Sequence, residues 1–134
     1  MDEYLEINQD NFVKILEEEF PDKRDVVKQH IEDYEGILFH ILCMDIIEIP
    51  LGIMLSENRD RALIQRYCDF VEKMWKLGDD NIRNVVDVTI LEGIAQEDIN
   101  WQVFGQYISE DFKTYINYEL MKWNAMMWNC EPIK

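Results

Sequence analysis

One long apolar stretch, residues 36–55, constrains this chain more than any other feature. It has the length of a membrane span, yet it carries His40, Asp45, Glu48 and Pro50. An acidic residue at mid-bilayer costs roughly 2.5–3.5 kcal/mol on insertion scales, and this stretch holds two. It therefore reads as the central element of a soluble fold, not as a membrane segment. Residues 37–49 are apolar nearly all round, as expected of a helix buried on most sides. Pro50 and Gly52 should break or kink it, leaving 51–55 as a short continuation.

The rest of the chain has the helical period. Phe12, Ile15 and Leu16 share a face, with Asn8 or Asp10 as N-cap. Pro21 stops this helix or opens the next. Val26, Val27, His30, Ile31 and Tyr34 keep the 3,4 spacing up to Gly36, a C-cap. The clearest helix spans about 59–77, with Leu63, Ile64, Tyr67, Phe70, Val71, Met74 and Trp75 on one stripe and Gly78 after it. Asp79 and Asp80 open another, through Ile82, Val85, Val86, Thr89 and Ile90 to near Gly93. The β-branched run 85–90 could be a strand. Helix is preferred, because Asp80 can cap it and no strand-like segment is available to pair with it. Residues 94–108 are less regular. Ser109 begins the final helix, whose stripe is Phe112, Tyr115, Ile116, Leu120, Trp123 and Met127. The expected fold is all-α: a compact single-domain bundle of about six or seven helices over residues 1–134.

The chain holds 28 acidic and 13 basic residues, a formal charge of −15. With 48% hydrophobic residues it is no disordered acidic tail. The charge argues against gripping nucleic-acid phosphates and against an anionic membrane surface. It is also unevenly spread, at −6 over residues 1–19 and −7 over 79–111. Either these are solvated helix faces, or they form a negative surface that meets a basic protein partner. On the second view Glu92, Glu97, Asp98, Glu110 and Asp111 are the partner-facing acids. Trp101, among acids and beside Phe104 and Tyr107, is either a hot-spot anchor or a plug for the bundle end.

The sequence offers little chemistry. His40 and Cys43 sit at i and i+3, but two ligands make no metal site, and a core histidine beside a buried thiol is the plainer account. His30, with Asp33 and Tyr34 one turn on, is either an oriented general base or a histidine satisfied by a neighbour. No G-x-S-x-G elbow, P-loop or Gly-rich nucleotide turn is present. Neither a catalytic residue nor a metal or cofactor is expected. Three cysteines without CxxC spacing predict free thiols, and an acidic N-terminus without a basic n-region predicts a cytoplasmic protein.

The pieces Glu19-Phe20-Pro21, Asp33-Tyr34-Glu35 followed by the apolar helix with His40, Gly78-Asp79-Asp80, and 85 through Leu91-Glu92 resemble a widespread bacterial family. Its members are small, acidic, all-helical proteins without assigned enzymatic activity. Some are cytosolic immunity partners of polymorphic or contact-dependent toxins. The resemblance covers roughly residues 10–95. It implies an immunity-type module that neutralises a basic toxin domain such as a nuclease, with no catalytic residues. The alternatives are a helical adaptor without a toxin, or a small enzyme using His30 or a buried carboxylate.

Overall fold

The apolar periods fold as helices throughout. The computed structural model describes residues 5–124, 128 and 130–134. Met127 of the last stripe, and Asp2 and Glu3 of the N-terminal acids, lie outside the described residues. Among those described there are seven helices and no strand. They are α1 (Phe12–Glu19), α2 (Arg24–Tyr34, led in by a 3₁₀ turn at Pro21–Lys23), α3 (Phe39–Glu57), α4 (Arg61–Leu77), α5 (80–94), α6 (Asp98–Gly105) and α7 (110–124). The β-branched run lies inside α5, as preferred. The stretch 98–105, read above as irregular, is α6.

Local chemistry sets the helix ends. The Asp79 carboxylate accepts the Ile82 N–H at 3.0 Å and so caps α5, a role expected of Asp80. The Ser109 hydroxyl accepts the Phe112 N–H at 3.2 Å at the start of α7. Neither Asn8 nor Asp10 caps α1. Asn11 occupies the cap position, and the Asn8 and Asn11 side chains instead close the preceding turn on each other's backbone N–H groups. At the end of α2, Glu35 is left-handed at φ 55°, and the Gly36 N–H reaches back to the Ile31 carbonyl.

Three of the long helices contain a wide i→i+5 turn: Met44–Glu48 in α3, Val86–Leu91 in α5 and Ile116–Leu120 in α7. These turns explain the main departures from expectation. In α3 the Ile49 N–H donates to the Met44 carbonyl, five residues back, directly ahead of Pro50. The widened turn moves the carbonyls that the proline ring would otherwise strike, so α3 runs unbroken through Pro50 and Gly52. In α7 the extra residue rotates the core face. Phe112, Ile116 and Met121 are buried, whereas Trp123, expected in the core, is 83% exposed.

The core is one cluster in which α3, α4 and α5 are central. α3 buries Leu42, Cys43, Ile46, Ile47, Leu51 and Leu55. It is not buried on most sides, however. Its opposite face leaves Met44, Ile49 and Ile53 in solvent. α3 is long and apolar enough to cross a membrane by length and composition, but one face of it is committed to this core. Ahead of α1, Ile7 pairs in parallel with Gly78. The Ile7 N–H donates to the Leu77 carbonyl and the Asp79 N–H to the Ile7 carbonyl, both at 2.9 Å.

Two glycines should respond in opposite ways. A Cβ on Gly78 would run into the Met74 carbonyl and lie 2.7 Å from Ile82 Cγ2. Gly78→Ala should lower stability by about 1–3 kcal/mol. A Cβ on Gly52, inside α3, would meet nothing within 4 Å. Gly52→Ala should raise stability by roughly 0.5–1 kcal/mol through helix propensity. Thermal melts of the two variants check both signs.

Candidate functional site

The sequence-predicted partner residues fall into different settings. Glu97, Glu110 and Asp111 are exposed, with Glu110 3.3 Å from Lys113 Nζ. Asp98 is exposed but engaged. Its Oδ1 accepts the Glu131 N–H at 3.0 Å, and Gln102 and Asn117 hold the same C-terminal segment by its backbone. Glu92 lines a pocket of about 250 Å³ with Asn84, Asp87, Val88, Leu120 and Trp128. Trp101 has no exposed surface; it stacks on Phe104 and meets Trp128 edge-on at 5.3 Å. The anchor role is therefore corrected: a side chain sealed inside the bundle offers nothing to a docking partner, and Trp101 fills the core.

A different surface combines concavity, apolar area and charge. α2 and α3 enclose a groove of about 370 Å³, lined by Asp25, Val26, Gln29, His30, Asp33, Tyr34, Leu42 and Asp45. Leu42 is its buried floor. Val26 and Tyr34 are 46% and 47% exposed, although the helical period marks them as core residues. Three carboxylates stand around them, and no lysine or arginine lines the groove. Sequence reasoning missed this site because it judged α2 by its stripe. Val26 and Val27 are adjacent in sequence, and only the fold decides which of them is covered.

His30 is buried at the same place. Its Nε2 accepts the Leu38 N–H at 3.0 Å, and its ring lies 4.8 Å from that of Tyr34. That bond ties the α2–α3 connection to the groove wall. It also occupies the lone pair that a general base would need, so His30 is the neighbour-satisfied histidine. His40, expected in the core, is exposed and bonded to Thr89 Oγ1 at 2.7 Å, while burial pushes the Cys43 thiol up to about 12. Among the described residues no group of three or more His, Cys, Asp or Glu could hold a metal ion.

Two carboxyl groups are strained electrostatically by the fold. Burial raises Asp87 above its ordinary 3.8, against the opposing pull of the Tyr115 hydroxyl, 2.9 Å from both carboxylate oxygens, and of Arg83. Burial also raises Glu48 above 4.5; its side chain lies against Gly93, where any Cβ would collide with it. Both bind their proton more tightly folded than unfolded. Their full contribution is present below the ordinary values and is lost as pH rises through the higher folded ones. Self-repulsion at −15 acts in the same direction. The melting temperature should therefore rise as pH falls from neutral toward the ordinary carboxyl values of 3.8 and 4.5, and Asp87→Asn should keep less of that rise. A melting temperature that falls over this range would contradict the assignment. Trp101→Ala should cost about 3–5 kcal/mol in thermal or denaturant unfolding, as a core deletion does.

No curated protein and no solved structure matches the chain. One family model does, over residues 13–124, and so takes in all but the edge of α1 and the whole of α7, the helix that the resemblance left out. By that match, the chain belongs to the family described as domain of unknown function DUF7674.

Proposed function

We propose that this chain is an immunity-type binding module that neutralises a basic protein domain by covering it with an acidic surface. The observation that carries the reading is the state of the carboxylates. Among the described residues, Glu19, Glu57 and Glu110 alone come within ion-pair distance of a lysine or arginine. Most of the other described carboxylates are exposed, Asp87 and Glu48 being partly buried exceptions, and their charge is free to act outward. A toxin nuclease is the fitting partner class. It must cluster Lys and Arg to grip phosphates, and the same cluster attracts this surface. Such a protein would work in the cytoplasm, where the toxin acts. A helical adaptor would use the same surface, and differs only in leaving its partner active.

Capture of the partner from the source cell, followed by kinetics on the purified pair, tests this. The expected partner is basic and loses its activity in the complex. The variant Glu97→Gln/Glu110→Gln/Asp111→Asn should associate about tenfold more slowly at low salt, with the difference closing as salt rises. An acidic or neutral partner, or association that ignores salt, overturns the reading. A basic partner that stays active in the complex identifies the adaptor.

A further inference from the structure

The α2–α3 groove has more apolar surface beside it than its own walls need. Asp45 lines the groove, and Ile49 and Ile53 follow it at i+4 and i+8 along α3. Both isoleucines lie in solvent, at 45% and 55% exposure. The three positions span about 12 Å of helix. By helical register, then, an exposed apolar line starts from the groove residue Asp45, and a single side chain or small metabolite would not cover both it and the groove. A rod about 10 Å wide, another helix, would. The charge selects its sign: Asp25, Asp33 and Asp45 line the groove beside Val26, Tyr34 and Leu42, and no base lines it. Arg24 and Lys28 lie on the neighbouring line of α2 and are not among the lining residues.

We infer that this groove binds an amphipathic helix of the basic partner, apolar side chains against Val26, Tyr34, Ile49 and Ile53, and lysines or arginines against the three aspartates. This rests on the partner reading above and gives it a place and a binding mode. A second copy of this chain is a poor occupant, because at −15 it would bring acid against acid. A lipid surface is a poor one too, because the same aspartates oppose anionic headgroups.

The probe is a synthetic Lys/Leu peptide of about fourteen residues with leucines at helical spacing, titrated onto the full chain and followed by fluorescence anisotropy. The controls are a Glu/Leu peptide of the same spacing and a scrambled Lys/Leu peptide. The Lys/Leu helix should bind at least about tenfold more tightly than either control. Asp25→Asn/Asp33→Asn/Asp45→Asn should weaken it about tenfold at low salt and much less at high salt. Tyr34→Ser/Ile49→Ser should weaken it about tenfold at every salt, because it removes apolar contact and not charge. These side chains are exposed, and circular dichroism of each variant should match the parent. If the groove variants bind as the parent does while Glu97→Gln/Glu110→Gln/Asp111→Asn loses the peptide, the groove is wrong and the acidic-module reading stands. If the Lys/Leu helix binds no better than its scrambled form, the groove is wrong, and the captured partner's salt dependence judges the module reading separately. Equal binding of the Glu/Leu peptide, or uptake of the chain onto neutral phosphatidylcholine vesicles, also overturns the inference.

Discussion

The fold depends on keeping straight lines of apolar side chains along helices that do not naturally provide them. Residues four apart on an α-helix drift by about 40° per step. Yet Cys43, Ile47, Leu51 and Leu55 all face the core from α3. The wide turn at Met44–Glu48 takes up the drift, since a turn with more residues brings the fourth one back into line. α5 and α7 use the same device at Val86–Leu91 and Ile116–Leu120. The widened turns of α3 and α5 pack against each other at the centre of the molecule. There Glu48 rests on Gly93, and His40 bonds Thr89. A glycine at 93 is needed because the wide turn brings a carboxyl side chain onto its backbone.

This device also sets the limit of what the sequence reveals. Fold class was legible: the 3,4 period, the acidic pair Asp79-Asp80 at one helix start and Ser109 at another all point to an all-α bundle. The stripe of α4 was legible apart from the buried Cys68, because that helix has no wide turn and its period never slips. In α7 the stripe was right as far as Leu120, which packs against the core, and failed at Trp123. One inserted residue moved Met121 to the core and Trp123 to solvent. No signal in 116–120 announces the insertion; it follows from packing and not from local propensity. For the same reason Pro50 looked like a helix breaker. A proline is one only where the turn before it is α-helical.

The candidate site was less legible than the fold, for a different physical reason. Excess acid is visible in any sequence, but concavity and coverage are not. Residues 79–111 drew attention by charge, and the fold disperses them. Asp98 fastens the C-terminal segment, Glu92 turns into a pocket and Trp101 is sealed. The α2–α3 groove lies in a part of the chain whose summed charge is near balance. Arg24 and Lys28 cancel Asp25 and Asp33 in any tally over α2, and only helical geometry separates them. The usable sequence signal was the surplus of apolar positions. α2 carries five on its stripe and buries two of them, Val27 and His30.

That surplus connects stability with function. An apolar line left in solvent, such as Ile49 and Ile53 on α3, favours association with any similar surface. In this chain the groove that the line leads to by helical register is lined by Asp25, Asp33 and Asp45. Two copies meeting there would have to bring these carboxylates together with little but water to compensate them. A basic helix reverses the sign of that interaction and gains the same apolar burial. On the partner reading proposed above the aspartates act twice: they oppose self-association at the groove and favour a partner that carries the opposite charge. Selectivity of this kind needs no catalytic geometry and no cofactor. It needs an apolar surface that is not used by the protein's own core, and α3 supplies it because its wide turn commits only one of its faces inward.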